Sequence, residues 1–493
     1  MTDTPDQTPT SAPLRLVDVQ AAVAAELDRI SPVIDELGAL FAAGGHELAL
    51  VGGPVRDAML GRRSNDLDFT TSARPEQTDR ILKAWGDAWW DMGRDFGTIG
   101  CRKGDWVVEV TTYRSEAYDP DSRKPEVQYG DSLAGDLGRR DFTVNAMAVR
   151  LPGREVEDPY GGVMDLAHRV IRTPGTPEQS FSDDPLRMMR AARFAAQLGF
   201  AVDPAVVRAM TEMADRIEII SAERVRDELV KLVCAPHPRL GLELLVETGL
   251  AERVLPELPA LKLERDEHHR HKDVYEHTLT VLEQAIDLEP RLAARAGAPE
   301  GPDFVSRFAA LMHDVGKPRT RRFQDDGVVT FHHHDVVGAK LTRKRMKALK
   351  FSNEQIDAVG DLVELHLRFH GYGSGEWTDS AVRRYVRDAG SQLERLHVLT
   401  RADCTTRNKK KADRLRRTYD DLEARIDRLS AEEELASIRP DLDGNQIMTL
   451  LGIGPGREVG EAYRFLLELR LDNGPMSQED AAAALRDWWA ARG

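Results

Sequence analysis

Residues 48–69 read LALVGGPVRDAMLGRRSNDLDF, an apolar strand that ends in a glycine pair and is followed by two aspartates separated by one leucine. Because strand side chains alternate between faces, Asp66 and Asp68 are predicted to project together while the leucine between them points into the core. Paired carboxylates of this kind bind Mg²⁺ together with substrate phosphates, and Gly52 and Gly53 let backbone N–H groups approach those phosphates. The stretch predicts a nucleotidyl-transfer site, although ordinary surface turns share its composition.

A third acidic residue follows in the next strand pattern, the run from Trp106 to Thr111. Glu109 is predicted to share a face with Val107 and Thr111, where a carboxylate among apolar residues requires a reason. It is either the third acidic group of the metal site or the partner of an arginine such as Arg114.

A polar segment precedes the last strand pattern of this region. Arg139, Arg140, Asp141 and Asn145 stand before an apolar stretch, and such residues grip phosphates and ribose hydroxyls. The segment is predicted to hold the substrate near the metals. The later sequence Asp158-Pro-Tyr-Gly-Gly is interpreted as a purely structural turn.

Length and charge limit the classes of protein. The 493 residues exceed what one core accommodates and predict three or four domains, while 68 basic and 83 acidic residues give a net charge of −15. Binding to nucleic acid depends on local basic clusters rather than on the whole-chain charge, although such runs are also typical of solvated helix faces. Two clusters stand out: Lys340, Arg343, Lys344, Arg345, Lys347 and Lys350, and Arg407, Lys409, Lys410, Lys411, Arg414, Arg416 and Arg417.

Neither secretion nor membrane insertion is predicted for this chain. Its polar start, the lack of any apolar run near ~18 residues and three scattered cysteines predict a cytoplasmic protein without a membrane partner.

Strand patterns are concentrated in the first third of the chain. They cover Leu48–Val51, Leu67–Thr70, Trp106–Thr111 and Phe142–Val149, and they predict an α/β domain. After a turn-rich segment at 173–180, helical patterns continue to the end of the chain, with loops predicted at 289–302, 371–380 and 437–444.

Residues 183–190, DDPLRMMR, are predicted to form one helix with positions 183, 187 and 190 on one face. Asp184 lies three residues before Arg187. The Asp184 carboxylate accepts hydrogen bonds, and the Arg187 guanidinium donates them. Cytosine and adenine both present an amino donor beside a ring-nitrogen acceptor, and uracil and guanine have a carbonyl in place of that amino group. One Asp–Arg pair can therefore select C and A, although an exposed salt bridge is the ordinary alternative.

Histidines are unevenly distributed, with ten of the 14 between residues 268 and 370. They are 268, 269, 271, 277, 313, 332, 333, 334, 366 and 370. His277, the pair His313-Asp314 and Asp403 follow the order His, His-Asp, Asp. This order resembles the HD superfamily of metal-dependent phosphohydrolases, which implies a divalent transition metal or Mg²⁺ at this site. His334 and His366 are possible ligands of a second ion.

Six motifs in order resemble the bacterial class II tRNA nucleotidyltransferases of the polymerase beta superfamily. They are GGPVRD at 52–57, DLD at 66–68, RRDFTVNAM at 139–147, DPYGG at 158–162, DDPLRMMR at 183–190 and ERVRDE at 223–228. The resemblance implies an α+β fold, in which a polymerase-beta-like α/β head with a mixed sheet precedes an elongated all-α neck, body and tail. Its span is about 40–235, and it extends more loosely over the helical remainder.

The resemblance also implies domain borders. These are a disordered tail and N-terminal helix at 1–38, the head at 39–174, a nucleotide-selecting neck at 175–240, a body with the HD domain at 241–410, and a tRNA-binding tail at 411–493.

The resemblance further implies addition or repair of the 3′-terminal CCA of tRNA from CTP and ATP, without a nucleic-acid template. Mg²⁺ would be held by Asp66 and Asp68, with Glu109 as a further catalytic candidate. Nucleotide binding is expected from Gly52, Gly53, Arg56, Arg139, Asp141, Asn145, Asp184, Arg187 and Arg190, and RNA binding from Lys340, Arg343, Lys344, Lys409, Lys410 and Lys411. The alternatives are a poly(A), CC-only or A-only polymerase and, from another class, an HD phosphohydrolase with an RNA-binding head. The sequence leaves the oligomeric state open.

Overall fold

The computed structural model describes residues 15–117, 126–130, 132–262, 273–293, 301–324, 329–371, 377–404, 409–433 and 438–492. The chain divides into two compact units, Met1–Pro256 and Glu257–Gly493. In the described ranges, no helix is both long and apolar enough to cross a bilayer.

The first unit contains all the longer strands. These are β1 (Leu48–Val51), β2 (Asp66–Thr71), β3 (Ala88–Trp90), β4 (Thr98–Lys103), β5 (Trp106–Thr112), β6 (Arg114–Ala117), β7 (Glu126–Tyr129), β8 (Ala148–Leu151), β9 (Glu155–Glu157), β10 (Val170–Ile171) and β11 (Ala201–Val202). Seven of them form one sheet in the order β3-β4-β5-β2-β1-β8-β9. Only the β2–β5 pair in that sheet is parallel, so the predicted mixed sheet is confirmed.

Twelve helices belong to the described part of the first unit. They are α1 (Leu16–Arg29), α2 (Ser31–Ala43), α3 (Gly53–Met59), α4 (Pro75–Trp85), α5 (Leu133–Gly138), α6 (Gly162–His168), α7 (Pro177–Asp183), α8 (Leu186–Leu198), α9 (Pro204–Glu212), α10 (Ala222–Val233), α11 (Pro238–Glu247) and α12 (Ala251–Val254). Helix α4 packs on the buried face of the sheet against β3, β4 and β5. The opposite face near β2 therefore remains available for a site.

Alternation along β2 separates the core from the site. Leu67 and Phe69 are 2% and 1% exposed, whereas Asp66 and Asp68 are exposed on the other face. The predicted orientation of the two aspartates is therefore confirmed.

Two predicted elements in this unit are wrong in extent. The strand expected over 142–149 begins only at Ala148, because residues 143–145 form a 3₁₀ turn. Just before this turn, Asp141 Oδ1 accepts the N–H of Phe142. The turn predicted at 173–180 contains the start of α7, which Thr176 caps by accepting the N–H of Gln179.

The helix predicted over 183–190 is interrupted. Asp183 ends α7, Asp184 is extended with φ −146° and ψ 102°, and α8 starts at Leu186. Pro185 explains the break, because its ring disfavours helical geometry in the preceding residue. Asp183 therefore does not share a helical face with Arg187 and Arg190.

The second unit is almost entirely helical. Its elements are α13 (Val274–Leu288), α14 (Pro290–Ala293), α15 (Phe304–Met312), α16 (Lys317–Thr320), β12 (Arg322–Phe323), β13 (Val329–Thr330), α17 (His334–Ala348), α18 (Asn353–Leu365), α19 (Asp379–Ala389), α20 (Leu393–Ala402), α21 (Lys409–Glu433), α22 (Gly444–Leu451), α23 (Arg457–Asn473) and α24 (Gln478–Ala490). Of the predicted loop at 289–302, residues 290–293 are helical and 294–300 lie outside the described ranges. The loop at 371–380 is helical from Asp379 and is not described over 372–376, and α22 starts at the end of the loop predicted at 437–444.

The last three helices have a small core of their own. Ile447, Ala462, Leu466, Ala481 and Leu485 are each at most 2% exposed and pack together. Asp443 and Gln446 form a reciprocal capping box at the start of α22.

Candidate active site and metal centre

The acidic residues of the head line up across β2 and β5. In the parallel register Asp68 lies opposite Glu109 and Asp66 opposite Val107. Val108 and Val110 are fully buried while Glu109 is exposed, so its side chain shares the open face with the two aspartates. Arg114 donates instead to the carbonyl of Phe96, so the ion pair considered for Glu109 is not formed.

The carboxylates of Asp66, Asp68 and Glu109 repel one another, as expected where a cation binds. Surrounding protein atoms desolvate Asp68, although solvent still reaches it, and this raises its pKa to about 6. Glu109 and Asp66 add to the rise by repulsion, whereas Arg140 and Arg56 oppose it. A divalent cation between these oxygens would remove the repulsion, so the residues fit Mg²⁺.

A cationic cradle lies on the β1 side of this row. Gly52 follows β1 with φ +74°, and a β-carbon there would come within 3.0 Å of Arg140 Nη1. Buried Asp136 holds both neighbouring arginines, with Oδ1 at 2.8 Å from Arg139 and Oδ2 at 3.2 Å from Arg140. The sequence places both Arg139 and Arg140 in the phosphate-gripping segment, but the specific set of nucleotide ligands includes only Arg139. Only the fold shows that the guanidinium of Arg140 faces Gly52.

A buried polar chain connects α3 to α8. Arg56 donates to Asn145 Oδ1 at 2.7 Å, and Asn145 donates to Asp141 Oδ1 at 3.0 Å. Arg190 donates to Asp141 Oδ2 at 2.9 and 2.5 Å. Burial alone would raise the pKa of Asp141, but the charge of Arg190 and the Asn145 hydrogen bond hold it well below its usual range. Asp141 therefore positions its neighbours in this conformation, and a direct nucleotide contact by it stays a prediction.

The two predicted base-reading residues do not pair with each other. Arg187 is 8% exposed and donates to Ser180 Oγ at 2.9 Å and to the Arg139 carbonyl at 2.6 Å. Asp184 accepts from Arg224 Nη2 at 2.8 Å. Base selection by Asp184 and Arg187 stays a prediction, and it requires these hydrogen bonds to change when a nucleotide binds.

Six predicted metal ligands converge in the second unit. They are His277, His313, Asp314, His334, His366 and Asp403. Ligand atoms of His277, His313 and Asp314 lie within 4.8 Å of one another, and so do those of Asp314, His334 and His366. The two groups share Asp314, whose Oδ2 lies 3.2 Å from His313 Nε2 and whose Oδ1 lies 3.3 Å from His334 Nε2. Asp403 adjoins the first group, 3.0 Å from His277 Nε2.

Three of these histidines are oriented as ligands. The Nδ1 atoms of His313, His334 and His366 lie 2.8, 2.7 and 2.6 Å from the carbonyl three residues earlier. With Nδ1–H donating, a neutral imidazole carries its lone pair on Nε2, where it can bind metal. All three Nε2 atoms are buried and none forms a hydrogen bond in the described part of the chain, although Asp314 oxygens lie close to those of His313 and His334. Burying such an acceptor is costly unless something binds it, so the donor set fits divalent metal.

The electrostatics distinguish two of these histidines. Burial would lower the pKa of His313, but the charges of Asp314 and Asp403 raise it, so a metal ion would replace the proton on its Nε2. Burial, and after it the charge of His313, lowers the pKa of His366 to about 4, so this imidazole is neutral near neutral pH. Burial opposes ionisation of Asp314, but His313 and Lys317 outweigh it and hold its pKa well below its usual range. Of the remaining clustered histidines, 268, 269 and 271 lie outside the described residues, as does the side chain of His370.

The predicted RNA-binding residues differ in availability. Lys340 and Lys344 are exposed on α17, whereas Arg343 pairs with Asp361 at 2.6 Å and Glu364 at 2.9 Å. The opposite charges neutralise Arg343, so the structure does not favour it as an RNA contact. In the second cluster Lys410 is exposed, and the side chains of Lys409 and Lys411 lie outside the described set.

Comparison with known proteins identifies the family. Residues 48–172 match the poly A polymerase head domain, 199–261 the probable RNA and SrmB-binding site of polymerase A, and 274–408 the HD domain. The chain is 34% identical over 446 residues to an A-adding tRNA nucleotidyltransferase of Deinococcus radiodurans, covering 89% of this chain and 95% of that protein. The chain belongs to the tRNA nucleotidyltransferase family. As a member it is an enzyme, a nucleotidyltransferase.

Further family members match over less of their length. The CCA-adding enzymes of Levilactobacillus brevis and Bacillus subtilis are 42% and 40% identical over 207 and 223 residues, 42% and 45% of this chain. The chain covers about half of those two proteins, 51% and 54%. The solved structure of the Bacillus stearothermophilus CCA-adding enzyme in complex with CTP has a TM-score of 0.62 and 25% identity, covering 96% of this chain and 98% of that one. These nucleotidyltransferase relatives confirm the predicted α/β head with a helical body.

Proposed function

We propose that this nucleotidyltransferase adds nucleotides from CTP and ATP to the 3′ end of tRNA and so builds or repairs its terminal CCA. The main support is the row of Asp66, Asp68 and Glu109 beside the cradle of Gly52 and Arg140. Solved structures of CCA-adding enzymes support it, since they include complexes with CTP, ATP and tRNA.

The order of the strands supports a separate task for each part of the site. Arg140, over Gly52, offers a guanidinium to the triphosphate on the β1 side. Asp66, Asp68 and Glu109 hold negative charge on β2 and β5. Mg²⁺ bound there would help to activate the primer hydroxyl and neutralise the leaving pyrophosphate. The Asp141 network then keeps Arg190 and Arg56 in place behind the site.

One observation favours a second product pattern. The relative that aligns over 95% of its own length is named as A-adding, whereas the CCA-adding relatives align over about half. An enzyme that adds only A would have the same acidic row, so the geometry of this row does not separate CCA addition from A-only addition.

Three tRNA acceptors test the proposal, ending before CCA, after C and after CC. We expect all three to be extended to CCA with CTP and ATP; extension of the third alone, with ATP, would assign A-only addition. Asp68→Asn should abolish incorporation, and Asp105→Asn, an exposed change in the β4–β5 turn, should leave it unchanged. Full activity of Asp68→Asn would overturn the metal site.

The second unit supports an additional function, metal-dependent phosphohydrolysis. The support is the set of three buried Nε2 atoms without hydrogen-bond partners around Asp314. Metal bound there would polarise a phosphoryl group and supply a nucleophile from water. The identity of the metal is left to measurement, since imidazole and carboxylate ligands suit several ions.

Metal analysis and hydrolysis test this function separately. We expect two equivalents per chain in the wild type, and fewer in His334→Ala and His313→Ala, with exposed His332→Ala as the matched control. Hydrolysis of a 2′,3′-cyclic phosphate should be lost in His313→Ala and kept in His332→Ala. If the wild type binds metal but hydrolyses no cyclic phosphate, the metal centre is structural and the proposed hydrolysis is wrong.

Three sequence predictions remain part of the proposal. The domain borders at 38, 174, 240 and 410 are retained, as is a cytoplasmic location. RNA contacts are also retained for Lys340, Lys344, Lys409, Lys410 and Lys411. Crosslinking of bound tRNA, followed by mapping of the attached peptides, tests the lysines directly.

A further inference from the structure

The acidic row continues across two more strands of the sheet. Asp68 lies opposite Glu109 on β5, Glu109 opposite Gly100 on β4, and Gly100 opposite Trp90 on β3. Residues directly opposite each other project to the same side of a sheet. Trp90 therefore belongs to the same open face as the catalytic carboxylates.

Gly100 leaves room for the indole ring of Trp90 on this face of the sheet. A β-carbon at Gly100 would overlap the Nε1, Cε2 and Cζ2 atoms of Trp90, so the ring lies directly on the glycine. Trp90 is only half-buried. The preceding residue, Trp89, belongs instead to the core row with Cys101 and lies under Lys83 of α4. The two adjacent tryptophans thus have different environments.

The position of the ring relative to the metal site suggests its ligand. Strands are about 4.8 Å apart, so the ring over β4 lies roughly 10 Å from Asp68 on β2. The cradle of Gly52 and Arg140 lies on the other side of β2, toward β1 and β8. In phosphoryl transfer the attacking and leaving oxygens are roughly in line, so the acceptor approaches from the side opposite the pyrophosphate. That side is the one that carries Trp90.

A cation stands beside the ring. Arg102 lies opposite Val107, and thus on the same face two residues from Gly100, and it is exposed. It makes no ion pair within the ranges that the structure describes. An aromatic platform with an adjacent cation is typical of sites for single-stranded nucleic acid, where bases stack and phosphates are neutralised.

We propose that Trp90, seated on Gly100, stacks a base at the single-stranded 3′ end of the acceptor RNA and guides its terminal hydroxyl to Asp68 and Glu109, with Arg102 on the RNA backbone. The inference rests on the proposed function, since it assigns the acceptor subsite of that reaction. The incoming nucleotide is bound on the other side of the carboxylates.

The test separates binding of RNA from folding and from nucleotide binding. Trp90→Leu keeps an apolar contact on Gly100 without a π-face, Trp90→Phe restores an aromatic ring, and Trp89→Phe is the control on the opposite face. We expect Trp90→Leu to raise the KM for acceptor RNA roughly 10-fold, with the KM for CTP and ATP nearly unchanged, and Trp90→Phe to recover most of the loss. Equilibrium binding of the acceptor without nucleotide should weaken in parallel, and thermal unfolding of all variants checks the fold.

Two outcomes would overturn the inference while the proposed function stands. In one, Trp90→Leu and Trp90→Phe bind and extend the acceptor equally well. In the other, the KM for CTP or ATP rises and that for RNA does not. A wild type that binds acceptor RNA but extends none would instead refute the proposed function, and the equilibrium titrations would then decide the role of Trp90.

Discussion

The buried pair of Asp141 and Arg190 provides the sharpest test of the electrostatics of the head. Asp141 accepts two hydrogen bonds from Arg190 and one from Asn145. Asp141→Asn removes the charge and keeps the shape. Breaking a buried ion pair costs about 3–5 kcal/mol, but the Arg190 side chain keeps 33% exposure and has Glu228 at 3.7 Å. We therefore expect a loss of about 2–3 kcal/mol in the free energy of unfolding at neutral pH.

The pH dependence of this loss distinguishes charge from shape. The pKa of Asp141 is lowered in the folded protein, so its stabilisation is complete above the unfolded value of about 3.9 and is lost as pH falls toward the folded value. The difference between wild type and Asp141→Asn should be constant from about pH 8 to 5 and shrink below about pH 4.

Urea unfolding, with hydrogen exchange of α8 to assign the transition to the first unit, measures this difference. Asp227→Asn is the matched control, because Asp227 pairs with Arg226 at the surface with 55% of its side chain exposed. The control should change stability by less than about 0.5 kcal/mol. A loss in Asp141→Asn that stayed the same below pH 4, or one no larger than in the control, would refute the reasoning.

Three more predictions concern separate parts of the chain. Asp68→Asn should raise the Tm of the metal-free protein more at about pH 8 than at about pH 5. With a pKa of about 6, the Asp68 carboxylate is charged, and repelled by Glu109 and Asp66, mainly at the higher pH. An equal rise in Tm at both pH values would contradict this. Lys344→Gln should lower the slope of log affinity for tRNA against log salt by about 0.7–0.9, whereas Arg343→Gln should not, since its charge is already paired; equal slopes for both variants would count against the assignment. Leu485→Ala should destabilise the last three helices by about 2–5 kcal/mol without changing CTP binding, measured by hydrogen exchange of α22–α24 and by nucleotide titration.

The sequence predicted the parts of the site that depend on local periodicity. Asp66 and Asp68 share a face because a strand alternates, and this needed no tertiary information. The break at Asp184 was predictable in principle, since Pro185 disfavours a helical residue before it, but the spacing of positions 183, 187 and 190 led to the prediction of one helix.

The histidine-rich unit shows a different limit. The order His277, His313-Asp314, Asp403 predicted a metal centre, and His334 and His366 were open candidates for a second ion. Their roles depend on which ring nitrogen faces inward. That is set by the carbonyls of Phe331, just before α17, and Val363, in α18.

The sequence by itself determined the chemistry: acidic pairs, glycine turns, arginines and the order of the motifs are all local patterns. Only the tertiary structure decided which of these groups meet. Strand order placed Glu109 beside Asp68 and Trp90 over Gly100, and it directed Arg140 rather than a neighbouring arginine toward Gly52. The physical reason is that the register between strands, and the direction in which each guanidinium points, depend on contacts between residues far apart in the chain.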